Sequence, residues 1–292
     1  MELNFYQVDV FTDQPLAGNP LAVFVNAKGL DADRMLAIAR EMNLSETTFL
    51  FPSKLADCDF KVRIFTPGRE IPFAGHPTLG TAHVLFRHGI LPSGRDACRL
   101  EMGVGPVNVA RDGAFFMMEQ PQPEFQQPRT GHEAIAQALG LASADLHPDL
   151  PAQVVSTGFP ALLVPLKSLD AVERVALNLA SLRQVLGDLD MIYPFCLDTV
   201  NPQAHAHTRG FAPFIGIPED PATGSVAGAM GAYLAWHRLF DESRLSNLTL
   251  EQGLEMKRPS EIKVSVGLTD GQIHSIRVGG KARTVAEGRL FL

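Results

Sequence analysis

Cysteine is scarce in this chain: three occur among 292 residues, Cys58, Cys98 and Cys196. None stands in a C-x-x-C pair or at the Cys/His spacing of a zinc site, which excludes a disulfide framework and fits a reducing compartment. His205-x-His207 is at most half a metal site. Two such histidines on a strand read more simply as solvated or singly hydrogen-bonded residues, so no metal is expected. Basic charge is also short, 25 Lys and Arg against 32 Asp and Glu, for a net charge of −7. Nucleic-acid binding needs a clustered excess of Lys and Arg, so small molecules are the expected partners. No run of 18 apolar residues occurs, and the opening segment lacks a basic stretch followed by an apolar one. A cytoplasmic protein without a membrane span is expected.

The chain has ordinary globular character: 46% hydrophobic and 20% charged residues, with 25 glycines and 21 prolines for its turns. A chain this long buries roughly 75% of its unfolded surface without external staples. Against that background one motif occurs twice. Arg63-Ile64-Phe65-Thr66-Pro67 runs on to His76-Pro77-Thr78-Leu79-Gly80-Thr81, and Arg209-Gly210-Phe211-Ala212-Pro213 runs on to Asp220-Pro221-Ala222-Thr223-Gly224-Ser225. Both copies read R-x-F-[TA]-P, a short loop, then [HD]-P-x-x-G-[TS]. A duplicated half explains this most simply, and His76 against Asp220 is where the matched blocks differ in proton-handling chemistry.

Periodicity extends the repeat. Residues 4–11 and 20–26 read as strands around the turn Pro15-Leu16-Ala17-Gly18-Asn19-Pro20. Asp31 to Met42 is an amphipathic helix carrying Met35, Leu36, Ala39 and Met42, and Ser45 to Phe51 returns to strand character. Pro77 stands at a first helical position, with Gly89 as the stop. Its twin helix has Asp220 as N-cap and Pro221 at the first position, continuing to Trp236. Both helices are so apolar that each belongs inside a β-rich half wrapped around it. Gly158-Phe159-Pro160 falls opposite Gly18-Asn19-Pro20, and Asp190 to Phe195 opposite Glu46 to Phe51. The Pro- and Gln-rich stretch 120–129 reads as a linker. The expected division is therefore 1–119 with 277–292 as one half and 130–276 as the other, with strand-like runs at 274–278 and 289–292.

Singly, the polar candidates have structural explanations: Asp220 as a helix cap worth about 1 kcal/mol, His76 as a satisfied histidine, Glu46 as a solvated side chain. Together they say more. Two helix starts with small residues form anion sites for a substrate carboxylate, and Gly75, Gly80 and Gly224 admit close approach to the backbone. Glu46, His76 and Asp220 then suit proton transfer at carbon, which general acid/base residues accelerate by about 10² to 10⁴. None of the three cysteines lies in the repeated [HD]-P-x-x-G-[TS] blocks, which argues against a two-thiol racemase.

The segments Gln7-Val8-Asp9-Val10-Phe11-Thr12, Gly18-Asn19-Pro20, Ser45-Glu46-Thr47, Gly75-His76-Pro77-Thr78 and Glu219-Asp220-Pro221-Ala222-Thr223-Gly224-Ser225 resemble the phenazine-biosynthesis isomerase (PhzF-like) family over almost the whole chain. The resemblance implies an α+β diaminopimelate epimerase-like fold: two pseudo-symmetric halves, each a curved, mostly antiparallel sheet around a central helix. It implies a homodimer, no cofactor and a small carboxylate substrate. It also implies Glu46 as catalytic acid/base, His76 and Asp220 as orienting and proton-assisting residues, and Ser45, Gly75, Gly224 and Ser225 as substrate-holding positions. One departure is Lys257-Arg258-Pro259-Ser260, where the family usually has Gly-Arg-Pro-Ser. The expected reaction is isomerisation of a small unsaturated or cyclic amino or hydroxy acid, with burial holding the Glu46 proton to higher pH. An epimerase using Glu46 with Asp220 or His76, and a non-catalytic binding protein on the same fold, are the alternatives.

Overall fold

Strand β1 (Glu2–Val10) buries Leu3, Val8 and Val10 and pairs antiparallel with β2 (Asn19–Phe24) in the computed structural model, which describes residues 1–292. The turn between them depends on Gly18. Its φ is +66°, and a Cβ there would lie 2.3 Å from the Val10 carbonyl oxygen, so no other residue fits without a shift. Helix α1 (Ala32–Met42) starts behind Asp31, whose carboxylate accepts from the Arg34 N–H at 2.8 Å, and ends at Asn43 with φ +50°. It buries Met35, Ile38 and Ala39. The crossover it makes lets β3 (Glu46–Pro52) lie parallel to β2, with Leu21 opposite Glu46.

The chain then turns back through β4 (Phe60–Phe65), antiparallel to β3, and the short β5 (Glu70–Ile71). Helix α2 (Gly75–Arg87) comes next, buried at every position from Gly75 to Leu85. It lies against β1, β2 and β3. After it, β6 (Ala97–Met102) runs parallel to β4, and β7 (Gly105–Asp112) and β8 (Phe115–Gln120) continue as antiparallel neighbours. Under α1 the core is aromatic. Phe24 stacks on Phe49 at 5.2 Å, and Phe65 meets Phe49 edge-on at 5.6 Å.

The second stretch comprises β9 (Glu124–Phe125), α3 (His132–Ala138), β10 (Gln153–Ser156), β11 (Pro160–Pro165), α4 (Leu169–Glu173), α5 (Leu179–Leu186) and β12 (Met191–Cys196). It continues with β13 (Ala206–Thr208), β14 (Gly210–Ala212), β15 (Ile217–Asp220), α6 (Gly224–Trp236), α7 (Glu242–Leu245), β16 (Leu248–Gln252) and β17 (Ser260–Thr269). The pairing reproduces the first stretch step by step. Antiparallel β1–β2, parallel β2–β3, antiparallel β3–β4, parallel β4–β6 and antiparallel β6–β7 correspond to β10–β11, β11–β12, β12–β13, β13–β16 and β16–β17. In each set a long apolar helix crosses between the second parallel pair. Helix α6 is buried almost throughout and packs on β10, β11 and β17.

The tail is one long strand rather than two short ones: β18 (Gln272–Phe291), whose residues from Ala282 to Phe291 pair antiparallel with β1. Two compact units result, Met1–Glu119 with Val278–Leu292, and Gln120–Arg277. The stretch read as a linker is hydrogen-bonded into the second unit. β9 pairs with β10, the Arg129 N–H donates to the Ala152 carbonyl, and Gln120 donates to the Gly224 carbonyl while accepting from Thr157. The prolines of this stretch are compatible with a short edge strand. No helix is long and apolar enough to cross a membrane.

Candidate active site

The repeated R-x-F pattern is structural in both units. Arg63 forms a two-pronged pair with Glu70 across the β4–β5 hairpin and sits 5.2 Å above the ring of Phe65. Arg209 does the same with Glu219 across β14–β15, at 2.8 and 2.9 Å, and sits 4.8 Å above Phe211. Its remaining nitrogen donates to the carbonyls of Val172, Glu173 and Val175 at the end of α4. Each arginine thus braces the hairpin that precedes its unit's buried helix.

The entry from hairpin to helix differs between the copies. Ala74 is the N-cap of α2, so Gly75 and His76 are its first two residues and Pro77 its third, not its first. Proline is tolerated there because first-turn N–H groups have no intrahelical partner. Asp220 is not the cap of α6. It is the last residue of β15, and Thr223 is the N-cap. The expectation of Asp220 as N-cap with Pro221 at the first helical position is therefore corrected: residues 221–223 form an extra loop that keeps the carboxylate ahead of the helix. Gly80 is corrected too. A Cβ there would lie 2.7 Å from Leu21 and 2.8 Å from Val10, so its role is helix-to-sheet packing rather than ligand approach.

In the first unit, Glu46 opens β3 and is 7% exposed, and His76 is 4% exposed. Nε2 of His76 lies 3.4 Å from Oε2 of Glu46. The imidazole also bonds to the backbone of Pro20. Proline has no N–H, so that partner is its carbonyl, just past the Gly18 turn. Nε2 has no hydrogen bond of normal length, so Nδ1 is the donor to Pro20, and the proton of the neutral ring sits on Nδ1. Burial pushes the His76 pKa down to about 3, the Pro20 bond opposing it. His76 is thus neutral near pH 7 and presents an acceptor nitrogen to Glu46. Ser45, half-buried, precedes Glu46, and Gly75, buried, precedes His76.

In the second unit, Asp220 is 7% exposed, and its Oδ2 accepts from the Thr223 hydroxyl at 2.7 Å. Behind both stands Gln252, fully buried at the end of β16. Its Nε2 donates to the Asp220 carbonyl at 2.7 Å and the Thr223 hydroxyl at 2.9 Å; its Oε1 accepts from the Thr223 N–H at 3.0 Å and the Tyr193 hydroxyl at 2.9 Å. Both donors and both acceptor sites of the amide are used, which fixes its orientation. Gly253 completes the support: with φ +79°, a Cβ would lie 2.5 Å from the carbonyls of Pro221 and Arg258. Ser260 donates to the same Pro221 carbonyl at 3.0 Å. Gly224 is buried and Ser225 half-buried at the start of α6. Sequence reading misses Gln252, Tyr193 and Thr223 as supports, since neither motif nor spacing marks a glutamine so far along the chain.

The other chemical candidates are occupied elsewhere. His207 bonds Glu251 through Nδ1 and Glu255 through Nε2, each at 2.8 Å, while Nδ1 of His205 accepts from the Thr249 N–H. Burial pushes the Cys98 and Cys196 thiols up to about 12 and also raises Cys58. No thiolate is therefore at hand near neutral pH.

On this α+β frame of two similarly paired units, the sequence relatives mark the chain as an enzyme of the isomerase type. The chain belongs to the phenazine biosynthesis-like family, whose model matches residues 8–288. Among curated relatives, an uncharacterized isomerase of Mesorhizobium japonicum is 39% identical over 99% of both chains. The trans-2,3-dihydro-3-hydroxyanthranilate isomerase of Pseudomonas aeruginosa is 34% identical over 98% of both. Among solved structures, a phenazine biosynthesis protein of the PhzF family from Bacillus anthracis superposes with a TM-score of 0.90 at 31% identity over the whole of both chains. A hydroxyproline epimerase from Agrobacterium vitis, 13% identical with a TM-score of 0.64, shares the fold.

Proposed function

We propose that this protein moves a proton between carbons of a small unsaturated or cyclic amino or hydroxy acid without a cofactor, with Glu46 as the general acid/base. The reading rests on the 3.4 Å approach of the buried Glu46 carboxyl to the Nε2 of a neutral His76. A carboxylate oxygen and an unprotonated Nε2 repel; one proton between them turns the contact into an attraction. His76 therefore stabilises the protonated form of Glu46, which is the state reached once the carboxylate has taken a proton from carbon. Because His76 itself does not take the charge, the proton stays with Glu46 and is delivered to the second carbon. Asp220, held through Thr223 and Gln252, is assigned a substrate-orienting role, with Ser45, Gly75, Gly224 and Ser225 as holding positions. A homodimer accompanies this reading by family likeness.

The family's trans-2,3-dihydro-3-hydroxyanthranilate isomerase supplies the first substrate to try. Replacing Glu46 with Gln keeps the shape and removes the proton, and turnover should fall at least ~10²-fold with an unchanged circular dichroism spectrum. Equal turnover in Glu46→Gln would remove Glu46 from the mechanism.

A further inference from the structure

At the other end of α2, within the first unit, is a cavity of about 680 Å³ lined from three elements: α2, the β7–β8 hairpin and β18. Its volume lies in the range of small-molecule sites, about 300 to 1,000 Å³. We propose that this cavity, bounded by His83, Arg87, His88, Arg111, Arg283 and Thr284, binds a small, multiply charged oxyanion, either a phosphate ester or a di- or tricarboxylate.

The lining itself is charged with one sign. The chain has a net charge of −7, yet no Asp or Glu lines this cavity, while three arginines and two histidines do. Arg87 alone has a dull explanation, a cation in the last turn of a helix. Arg111 and Arg283 come from other elements, and of the two only Arg283 has an acidic neighbour, Asp13. Arg111 donates to the Gly113 carbonyl and lies 5.3 Å over the Phe86 ring, with no carboxylate partner. The surrounding acids sit outside the lining: Asp13 acts on Arg283, and Glu287 acts on His88.

The histidines report the same imbalance. Nε2 of His83 and Nε2 of His88 each lie 3.1 Å from the Thr284 hydroxyl. A hydroxyl has one proton, so one ring accepts it and the other donates. Tyr6 stacks on His88 at 3.8 Å and fixes its plane. Burial first, then the charges of His88, Arg87 and Arg111, push His83 down to about 4. An oxyanion in the cavity would reverse the second contribution and supply the paired acceptor oxygens that guanidinium groups match.

The test is calorimetric titration of the full chain with inorganic pyrophosphate and, separately, with citrate, alongside histidine proton NMR. One-site binding of either is expected, weakened at least ~10-fold in Arg111→Gln/Arg283→Gln with the fold unchanged, and unaltered in Asp220→Asn. The His83 and His88 resonances should titrate at higher pH with the anion present. Pyrophosphate alone would identify a phosphate site, and citrate alone a polycarboxylate site. Absence of binding by both anions overturns the proposal, as does binding retained in the double variant or lost in Asp220→Asn. Self-association abolished by the double variant, without anion binding, would instead make this face a contact between copies.

Discussion

His76 owes its state to two neighbours that the sequence places far apart. The Gly18 turn brings the Pro20 carbonyl to one ring nitrogen, and the start of β3 brings Glu46 to the other. With its pKa pushed down to about 3 by burial, its ¹⁵N shifts should stay those of the neutral ring with Nδ1 protonated from pH 8 to pH 5; an imidazolium spectrum at pH 6 would contradict retention of the proton by Glu46. Glu46 and His76 are legible in the sequence because they sit in short, recognisable motifs. Gln252 is not, because its role exists only once β16 lies beside the loop after β15. Gln252→Leu nearly keeps the volume and removes the four hydrogen bonds of the amide, although the Thr223 and Tyr193 hydroxyls keep Asp220 and Thr208 as partners. It should destabilise by several kcal/mol at about 1–3 per unsatisfied group and lower kcat more than KM rises, whereas a purely structural glutamine would leave kcat of the folded fraction unchanged.

The elements are easier to read than their ends. Apolar period locates α1, α2 and α6, the Asp31 cap fixes the start of α1, and the repeat shows that the elements follow the same order in both stretches. The start of α6 misleads because an Asp-Pro step so often caps a helix, whereas here the strand keeps Asp220 and Thr223 takes the cap. Gly80 misleads for a different reason: a glycine near a helix start suggests ligand approach, and only packing reveals that Leu21 and Val10 occupy the space a Cβ would need. Gly80→Ala should therefore cost about 1–3 kcal/mol by overpacking. It should also reduce activity by shifting α2, and with it His76, relative to β3. A thermal melt and a turnover measurement on the same preparation check both; an unchanged melting temperature would show that α2 has slack against the sheet.

For the molecule as a whole, duplication is visible from two matched motifs, while the buried polar clusters and the basic cavity draw on residues scattered along the chain and so leave no local signal. Those clusters set the response to pH. Burial works against a charge on His207, but Glu251 and Glu255 outweigh it and hold its pKa up to about 9. Its contribution to stability is complete below the unfolded value of ~6.5 and is lost as pH rises through 9. His76 and His83, pushed down to about 3 and about 4, act oppositely: unfolding lets them take protons, so stability falls as pH drops below ~6.5. The melting temperature should peak near pH ~6.5, and His207→Gln should flatten the alkaline side. Proton transfer at carbon by Glu46 is tested most directly by proton NMR in D₂O with trans-2,3-dihydro-3-hydroxyanthranilate and related unsaturated cyclic acids. Deuterium at a carbon together with a shifted double bond is expected in the wild type, and neither in Glu46→Gln. Deuterium entering without a double-bond shift would contradict isomerisation in favour of epimerisation, and exchange that persists in Glu46→Gln would contradict the role given to Glu46.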